Sequence, residues 1–254
     1  MKWHKKPLFR IAIVGLLMAG LAEQAGAFRP RVERLRRSTS TSGVRGTCQN
    51  RTVQDLTAIA PTSYTAQLTK DHSTVSWYIP EAYGSPIQLK LYRADQPDTE
   101  KVKWQFVEGF TIEQYEPGIY SYPLPAALLT EGQVYAWQVE VNCNPINASM
   151  NPRFTAQFKV VASPPIQGTT PAEKADQYAE KGLWYSAFAE ATIADRQGQK
   201  ERSKLLIALR DVEAEQIQSN AKDDSSPQEI DQRVQQRREQ LSYLIRLTEQ
   251  SLPK

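Results

Sequence analysis

A chain of 254 residues with 40% hydrophobic and 23% charged residues is long enough to bury a core and too mixed to be disordered or fibrous. Its formal net charge is +3, but the first 27 residues hold four basic side chains and one acidic, leaving 27 of each sign beyond them. A chain balanced in this way has no global field for a polyanion, so nucleic-acid binding is not expected.

Lys2, Lys5, Lys6 and Arg10 precede an apolar run from Ile11 to Leu21, and Ala25-Gly26-Ala27 offers a small-x-small cleavage site before Phe28. This is the pattern of a secretory signal peptide over residues 1–27. The run falls short of the ~20 residues that span a bilayer, so an uncleaved anchor is the alternative and no transmembrane segment is expected after cleavage. Residues 28–47 read as a basic, flexible lead-in. Residues 28–51 carry seven arginines against Glu33 alone. An anionic lipid or polyanionic glycan would suit such an arm, and a solvated linker is the simpler reading. Cys48 and Cys143 are the only cysteines. In an exported chain an isolated pair is expected to form a disulfide, the alternative being two buried thiols.

From Cys48 the pattern is β. Apolar residues alternate in TAQLT (Ala66, Leu68), TVSWYI (Val75, Trp77, Ile79) and IQLKLY (Ile87, Leu89, Leu91). KWQFV follows with Trp104 and Phe106, then GIYSYPL at 118–124, VYAWQVEVNC at 134–143 and RFTAQFKV with Phe154, Ala156, Phe158 and Val160. Side chains on a strand alternate between faces, so Tyr135, Trp137, Val139 and Val141 share one face for a core. The spacing predicts about seven short strands over 48–161, an antiparallel sandwich of immunoglobulin-like type. Leu129, Gly132, Tyr135, Trp137 and Val139 form L-x-x-G-x-x-Y-x-W-x-V, which is similar to the tyrosine-corner strand of fibronectin III and immunoglobulin-like domains. Tyr135, Trp137 and Trp77 are therefore expected to hold structure.

Residues 162–170, ASPPIQGTT, read as a linker, and the period beyond them is helical. Pro171 suits a first helical turn, and a hairpin is expected over 171–196 about Gly182. YAEKGLWYSAFAEA is similar to one tetratricopeptide-type hairpin, but there is no second copy, so it is read as a packing hairpin. Helices are expected at about 199–218 and 227–250 within a helical region running to 254. Ser226-Pro227-Gln228-Glu229 is a capping-box start. Arg237 interrupts the apolar stripe of Ile230, Val234, Leu241, Leu244 and Ile245. Its stem is expected along the contact with its head in water.

Catalytic groupings are sparse. His72 is the single histidine beyond residue 27, in KDHST, and is expected to be solvent-exposed. Nothing around Ser63, Ser73 or Ser76 marks a nucleophile elbow, and there is no phosphate loop or HExxH. Two cysteines and one histidine are too few for a zinc site, and DQPDTE lacks the ordered ligand spacing of a calcium loop. Glu108, Glu113, Glu116 and Glu131 fall near predicted loops, where paired carboxyls for glycan hydrolysis would have to be brought together. Exposed aromatics are the better pointer to binding. Tyr83 and Tyr115 lie in or beside loops, and Tyr78 and Tyr92 point to the polar face of their strands. Together they are a candidate surface for a sugar or a partner, unless the C-terminal helices cover them.

Thr47-Cys48, LTAIAP at 56–61, VSWYIP at 75–80, Tyr135-x-Trp137, Asn142-Cys143-x-Pro145 and GLWY at 182–185 resemble the exported cyanobacterial family known as domain of unknown function 928, over about residues 45–200. The resemblance implies architecture and export and carries no activity, cofactor or catalytic residue. The expectation is an exported, non-enzymatic binding or interaction module of the periplasm or cell envelope, its partner an envelope protein or glycan. A carboxylate-based glycan hydrolase and an assembly subunit acting through the C-terminal helices are the alternatives. No catalytic, cofactor or metal residue is assigned.

Overall fold

The computed structural model describes residues 28, 30–35, 48, 56–96, 102–144, 146–147, 151–193, 196–221 and 226–250. The signal segment 1–27 and most of the lead-in lie outside the described residues. Among those described, eight strands in two sheets are followed by four helices. The strands are β1 (Thr57–Ala58), β2 (Ala66–Thr69), β3 (Thr74–Ile79), β4 (Ile87–Ala94), β5 (Trp104–Ile112), β6 (Gly118–Pro123), β7 (Val134–Val141) and β8 (Arg153–Val161). The helices are α1 (Pro171–Glu180), α2 (Trp184–Ala191), α3 (Arg196–Ser219) and α4 (Pro227–Gln250).

One sheet has the order β1-β3-β6 and the other β2-β8-β7-β4-β5. All pairs are antiparallel except β2–β8, which is parallel. The strand beyond the seven expected is β1. Its two residues are too few to show an alternation.

The core follows from period two. Tyr135, Trp137, Val139 and Val141 on β7 are buried and face Trp77 and Val75 of the other sheet. The Trp77 and Trp137 rings stand 6.2 Å apart and join the two sheets. Tyr135 closes the tyrosine corner: its hydroxyl donates to the Leu128 carbonyl at 3.1 Å and accepts from the Thr130 N–H at 3.0 Å. Gly132, with φ 79°, makes the preceding turn. A disulfide joins Cys48 to Cys143, just beyond β7, with Cα atoms 5.6 Å apart.

The described part of the lead-in departs from a solvated linker. Phe28 is buried edge-on against Trp184, the Thr65 N–H donates to the Glu33 carbonyl at 2.8 Å, and Lys159 pairs with the Glu33 carboxylate at 3.3 Å. Burying one phenylalanine, worth about 1.5–3 kcal/mol, offsets the ordering of one or two backbone residues at about 1–2 kcal/mol each.

Thr170 and Glu173 form a capping box at the start of α1. Gly182, at φ 77°, ends that helix, with the Leu183 N–H on the Tyr178 carbonyl and the Gly182 N–H on the Ala179 carbonyl. The turn throws α2 back onto β2 and β3, where Trp184, Tyr185 and Phe188 enter the sandwich core. Trp137 Nε1 donates to the Tyr185 hydroxyl at 2.9 Å, so the first helices share the core of the strands. The α3 and α4 helices pack along each other. Ser226 and Glu229 exchange backbone bonds at the start of α4, as the capping-box pattern predicts.

Candidate functional site

The five-stranded sheet turns an open face away from the sandwich core. Gln88, Lys90 and Tyr92 lie on it from β4, Gln138 and Glu140 from β7, and Arg153 and Thr155 from β8. Plain alternation in KWQFV puts Phe106 on the core side. The register instead pairs Leu91 with Glu108 and Tyr92 with Phe106, leaving Val107 as an extra residue. One inserted residue exchanges the two faces of everything before it. Ile112 and Phe110 therefore pair with Ile87 and Leu89 on the inner side, and Phe106 and Trp104 turn outward.

Phe106 is 62% exposed and is the one aromatic among the exposed large hydrophobic side chains of the described residues. It stands edge-on to Tyr92 at 5.9 Å. Trp104 beside it packs on Ala94, Val102 and Val134. Further along the same face the surface is polar and organised. Lys90 Nζ lies 2.8 Å from one Glu140 oxygen, Asn151 Nδ2 donates to the other at 3.1 Å, and Gln138 Nε2 donates to Thr155 Oγ1 at 3.2 Å. Burial works against the Glu140 carboxylate, but the Lys90 ammonium and the Asn151 amide outweigh it and hold its carboxyl below the usual range. The face is thus an aromatic ledge leading into a pre-ordered hydrogen-bonding patch, an arrangement that suits a flat amphipathic ligand.

A second polar centre lies where the sandwich meets the helices. Glu213 on α3 is fully buried and accepts from the Thr62 and Ser63 N–H groups at 2.9 Å each and from both of their hydroxyls at 2.6 Å. Arg237 on α4 completes it, with Nε 2.9 Å from Glu213, Nη2 2.7 Å from the Ala60 carbonyl and Nη1 3.3 Å from the Ala58 carbonyl. Its head is therefore buried and not in water as expected. Four neutral donors orient the Glu213 carboxylate, and the guanidinium neutralises it. The Tyr64 hydroxyl is buried nearby without a hydrogen-bond partner. Burial first, then the Glu213 charge, push that phenol well above its usual range.

His72 also departs from the exposed position expected of it. It ends the 3-10 turn Lys70–His72 between β2 and β3 and is half-buried. Its Nε2 lies 2.8 Å from the Glu190 carboxylate on α2 and its Nδ1 3.0 Å from the Tyr178 hydroxyl on α1. The side chain pins the helical hairpin to the sandwich.

A family model described as Domain of Unknown Function (DUF928) matches residues 40–220. The chain belongs to the DUF928 family. No curated protein and no solved structure matches it. The DUF928 match takes in both sheets and α1 to α3 and stops before α4. The aromatic residues that carry the resemblance, Trp77, Trp137, Trp184 and Tyr185, are all buried in one core. They account for the fold and lie apart from the open face.

The four tyrosines proposed for a surface in this DUF928 chain do not meet. Tyr78 is covered by α4 and shares a hydrogen bond with the Tyr243 hydroxyl at 3.2 Å. Burial first, then that bond, push its phenol well up. Tyr115 donates to the Ser85 carbonyl at 2.8 Å, and it and Tyr83 are half-buried against the core. Only Tyr92 belongs to the open face. The other aromatics of that face, Phe106 and Trp104, are turned outward by the bulge, which leaves no mark in the alternation.

The carboxyls singled out, Glu108, Glu113, Glu116 and Glu131, are all exposed. The acids that do meet are Asp176 on α1 and Glu201 on α3, with Lys204 Nζ 2.7 Å from Glu201. Burial, then the Glu201 carboxyl, push Asp176 up to about 6. Carboxyls in direct hydrogen bond leave no room for a glycosidic bond, which needs them ~5 Å apart or more. Among the described residues no group of three or more His, Cys, Asp or Glu is placed to hold a metal, and no helix is long and apolar enough to cross a membrane.

Proposed function

We propose that this chain is an exported, non-enzymatic binding module of the periplasm or cell envelope. In this reading the open face of its five-stranded sheet takes an envelope glycan or protein. One observation carries the reading: Phe106 is presented to water at 62% exposure by a bulge that costs the strand a regular register. An exposed ring beside Tyr92 and an ordered Lys90–Glu140–Asn151 network matches the mix of stacking area and fixed polar groups that sugars and peptides require. The disulfide and the pattern of residues 1–27 support export.

The sandwich is of immunoglobulin-like type in this reading. The sheet orders and the Tyr135 corner support it. In immunoglobulin domains the second inter-sheet cysteine follows that tyrosine by two residues. Here Trp137 occupies the position and Trp77 faces it, so a pair of indoles replaces the bridge. Two features weigh against the alternatives. The Asp176–Glu201 contact is too close for glycan hydrolysis, and the apolar stripe of α4 is spent inside the molecule, leaving little for assembly.

The test is recovery from envelope extracts and binding to arrayed envelope glycans, comparing the wild-type protein with Phe106→Ala. The substitution should leave the melting temperature unchanged and lower binding at least about tenfold, the effect of removing a central aromatic contact. Wild-type protein that captures neither a glycan nor an envelope protein would sink the proposal.

A further inference from the structure

Three cations lie on the open face among its described residues, and they are not alike. Lys90 on β4 is 2.8 Å from Glu140, and Lys159 on β8 is 3.3 Å from Glu33. Arg153, half-buried at the start of β8, forms no hydrogen bond or ion pair. It stands opposite Glu140 in the β7–β8 register, but that carboxylate is already filled: one oxygen meets Lys90 and the other takes the Asn151 amide. The Arg153 guanidinium is thus left for something outside the chain. The aromatic pair stands at the opposite corner. Tyr92 lies across from Ala136, and Ala136 from Gln157, four residues beyond Arg153 on β8. With strands ~4.8 Å apart and residues ~3.4 Å apart, Arg153 is about 17 Å from Tyr92 and about 20 Å from Phe106. Gln138 lies midway on that diagonal, its amide nitrogen held by Thr155. The free edge of the same sheet is poorly suited to an added peptide strand. Val107 bulges β5, and Glu108, opposite Leu91, puts a charge on its inner side.

We propose that the ligand of the open face is an acidic glycan, a chain of several sugars carrying carboxylate or sulfate groups. The inference rests on the binding reading given above and names the ligand within it. One sugar ring lies on Phe106 and Tyr92, the chain crosses Gln138, and an anionic group on a later ring takes the Arg153 guanidinium. The planar fork of an arginine matches such an oxyanion with two hydrogen bonds, which are stronger for being charged. The same contact sets selectivity. A neutral glycan covers Arg153 without offering it a counter-charge, so it loses the hydration of that head and gains nothing in return. The separation of the two ends sets length. A single sugar reaches either the aromatic ledge or Arg153 and keeps only part of the binding.

The experiment measures binding of the full chain by calorimetry to oligogalacturonate, to sulfated galactose oligosaccharides, to the carboxyl-reduced and desulfated counterparts of each, and to monomeric galacturonate. The wild type should bind one acidic oligosaccharide at least about tenfold more tightly than its neutral counterpart, the effect of one hydrogen bond to a charged group. Preference for the uronate or for the sulfate tells which oxyanion Arg153 holds, and the monomer should bind far more weakly than the chain. Arg153→Gln should close the gap between acidic and neutral ligands. Arg210→Gln, which removes the same charge from α3, should leave the gap as it is. Arg153→Gln should melt as the wild type does, since Arg153 bonds nothing in the fold. The inference is overturned if acidic and neutral oligosaccharides bind alike, if the gap survives Arg153→Gln, if the monomer binds as well as the chain, or if none of these ligands binds. In each of those cases the open face still stands as a binding surface so long as Phe106→Ala weakens capture from envelope extracts. Capture that is indifferent to Phe106→Ala removes the open face itself.

Discussion

Replacing Arg237 by alanine should be among the most damaging single changes outside the aromatic core. The guanidinium lies 2.9 Å from Glu213 and bonds two backbone carbonyls, and both side chains of the pair are almost wholly buried. Removing one partner of a buried pair costs about 3–5 kcal/mol, because the other charge is left without compensation. The four donors from Thr62 and Ser63 remain on Glu213. They keep the carboxylate partly satisfied, which places the cost at the lower end, about 3 kcal/mol. For a folded unit of this size that is a fall of about 6–12 °C in melting temperature. Making the pair apolar should not rescue the protein. With Glu213→Leu and Arg237→Met together, the Thr62 and Ser63 N–H groups lose their acceptor, at ~1–3 kcal/mol each. Urea unfolding of the wild type, the two single variants and the double variant measures both the cost and the coupling. An Arg237→Ala variant within ~1 kcal/mol of wild type would refute the view that Glu213 depends on this partner.

Three further outcomes are expected. Cys48→Ser opens a loop with a sequence separation of 95 residues. It should cost about 4–5 kcal/mol in the chain-entropy model, and reductant should destabilise the wild type to match; unchanged melting in both cases would count against the bridge. Asp176 sits at about 6 in the folded chain, above the ~3.9 of an unfolded aspartate. The stability held by its protonated form is complete below pH ~4 and is lost as pH rises through about 6, so Asp176→Asn should melt above wild type at pH 8 and no higher at pH 4. An equal gain at both pH values would remove the carboxyl contact as its cause. His72→Ala strips the buried Glu190 carboxylate of its partner and should cost ~1–3 kcal/mol. It should speed amide exchange in α1 and α2 before β7, and exchange rising evenly across the chain would show that His72 does not act as a pin for the hairpin.

Much of the architecture is legible because its causes are local. Period two along VYAWQVEV buries Tyr135, Trp137, Val139 and Val141 together. Thr170 with Glu173 and Ser226 with Glu229 mark helix starts through bonds three residues long. Gly182 marks a helix end because its positive φ suits no other residue as well. The open face was harder to read. One extra residue at Val107 reverses the outward and inward sets of β5, and no composition or spacing announces where a bulge falls. Tyr78 looked exposed by the same alternation, and only the docking of α4 covers it.

The sequence by itself determined the order and type of the strands and helices other than β1, the tyrosine corner and the two cysteines available for pairing, since each depends on residues near one another or on a count. Tertiary structure decided what those elements do together. It paired β2 in parallel with β8, folded Phe28 onto Trp184, turned Phe106 to water and enclosed His72 between two helices. It also made Glu213 and Arg237 a buried pair closed by a loop more than 150 residues earlier in the chain. A charged side chain within an apolar stripe reads the same whether its head meets water or a carboxylate. The difference is set by what long-range packing brings to the spot, and the open face proposed for binding is likewise set by long-range pairing.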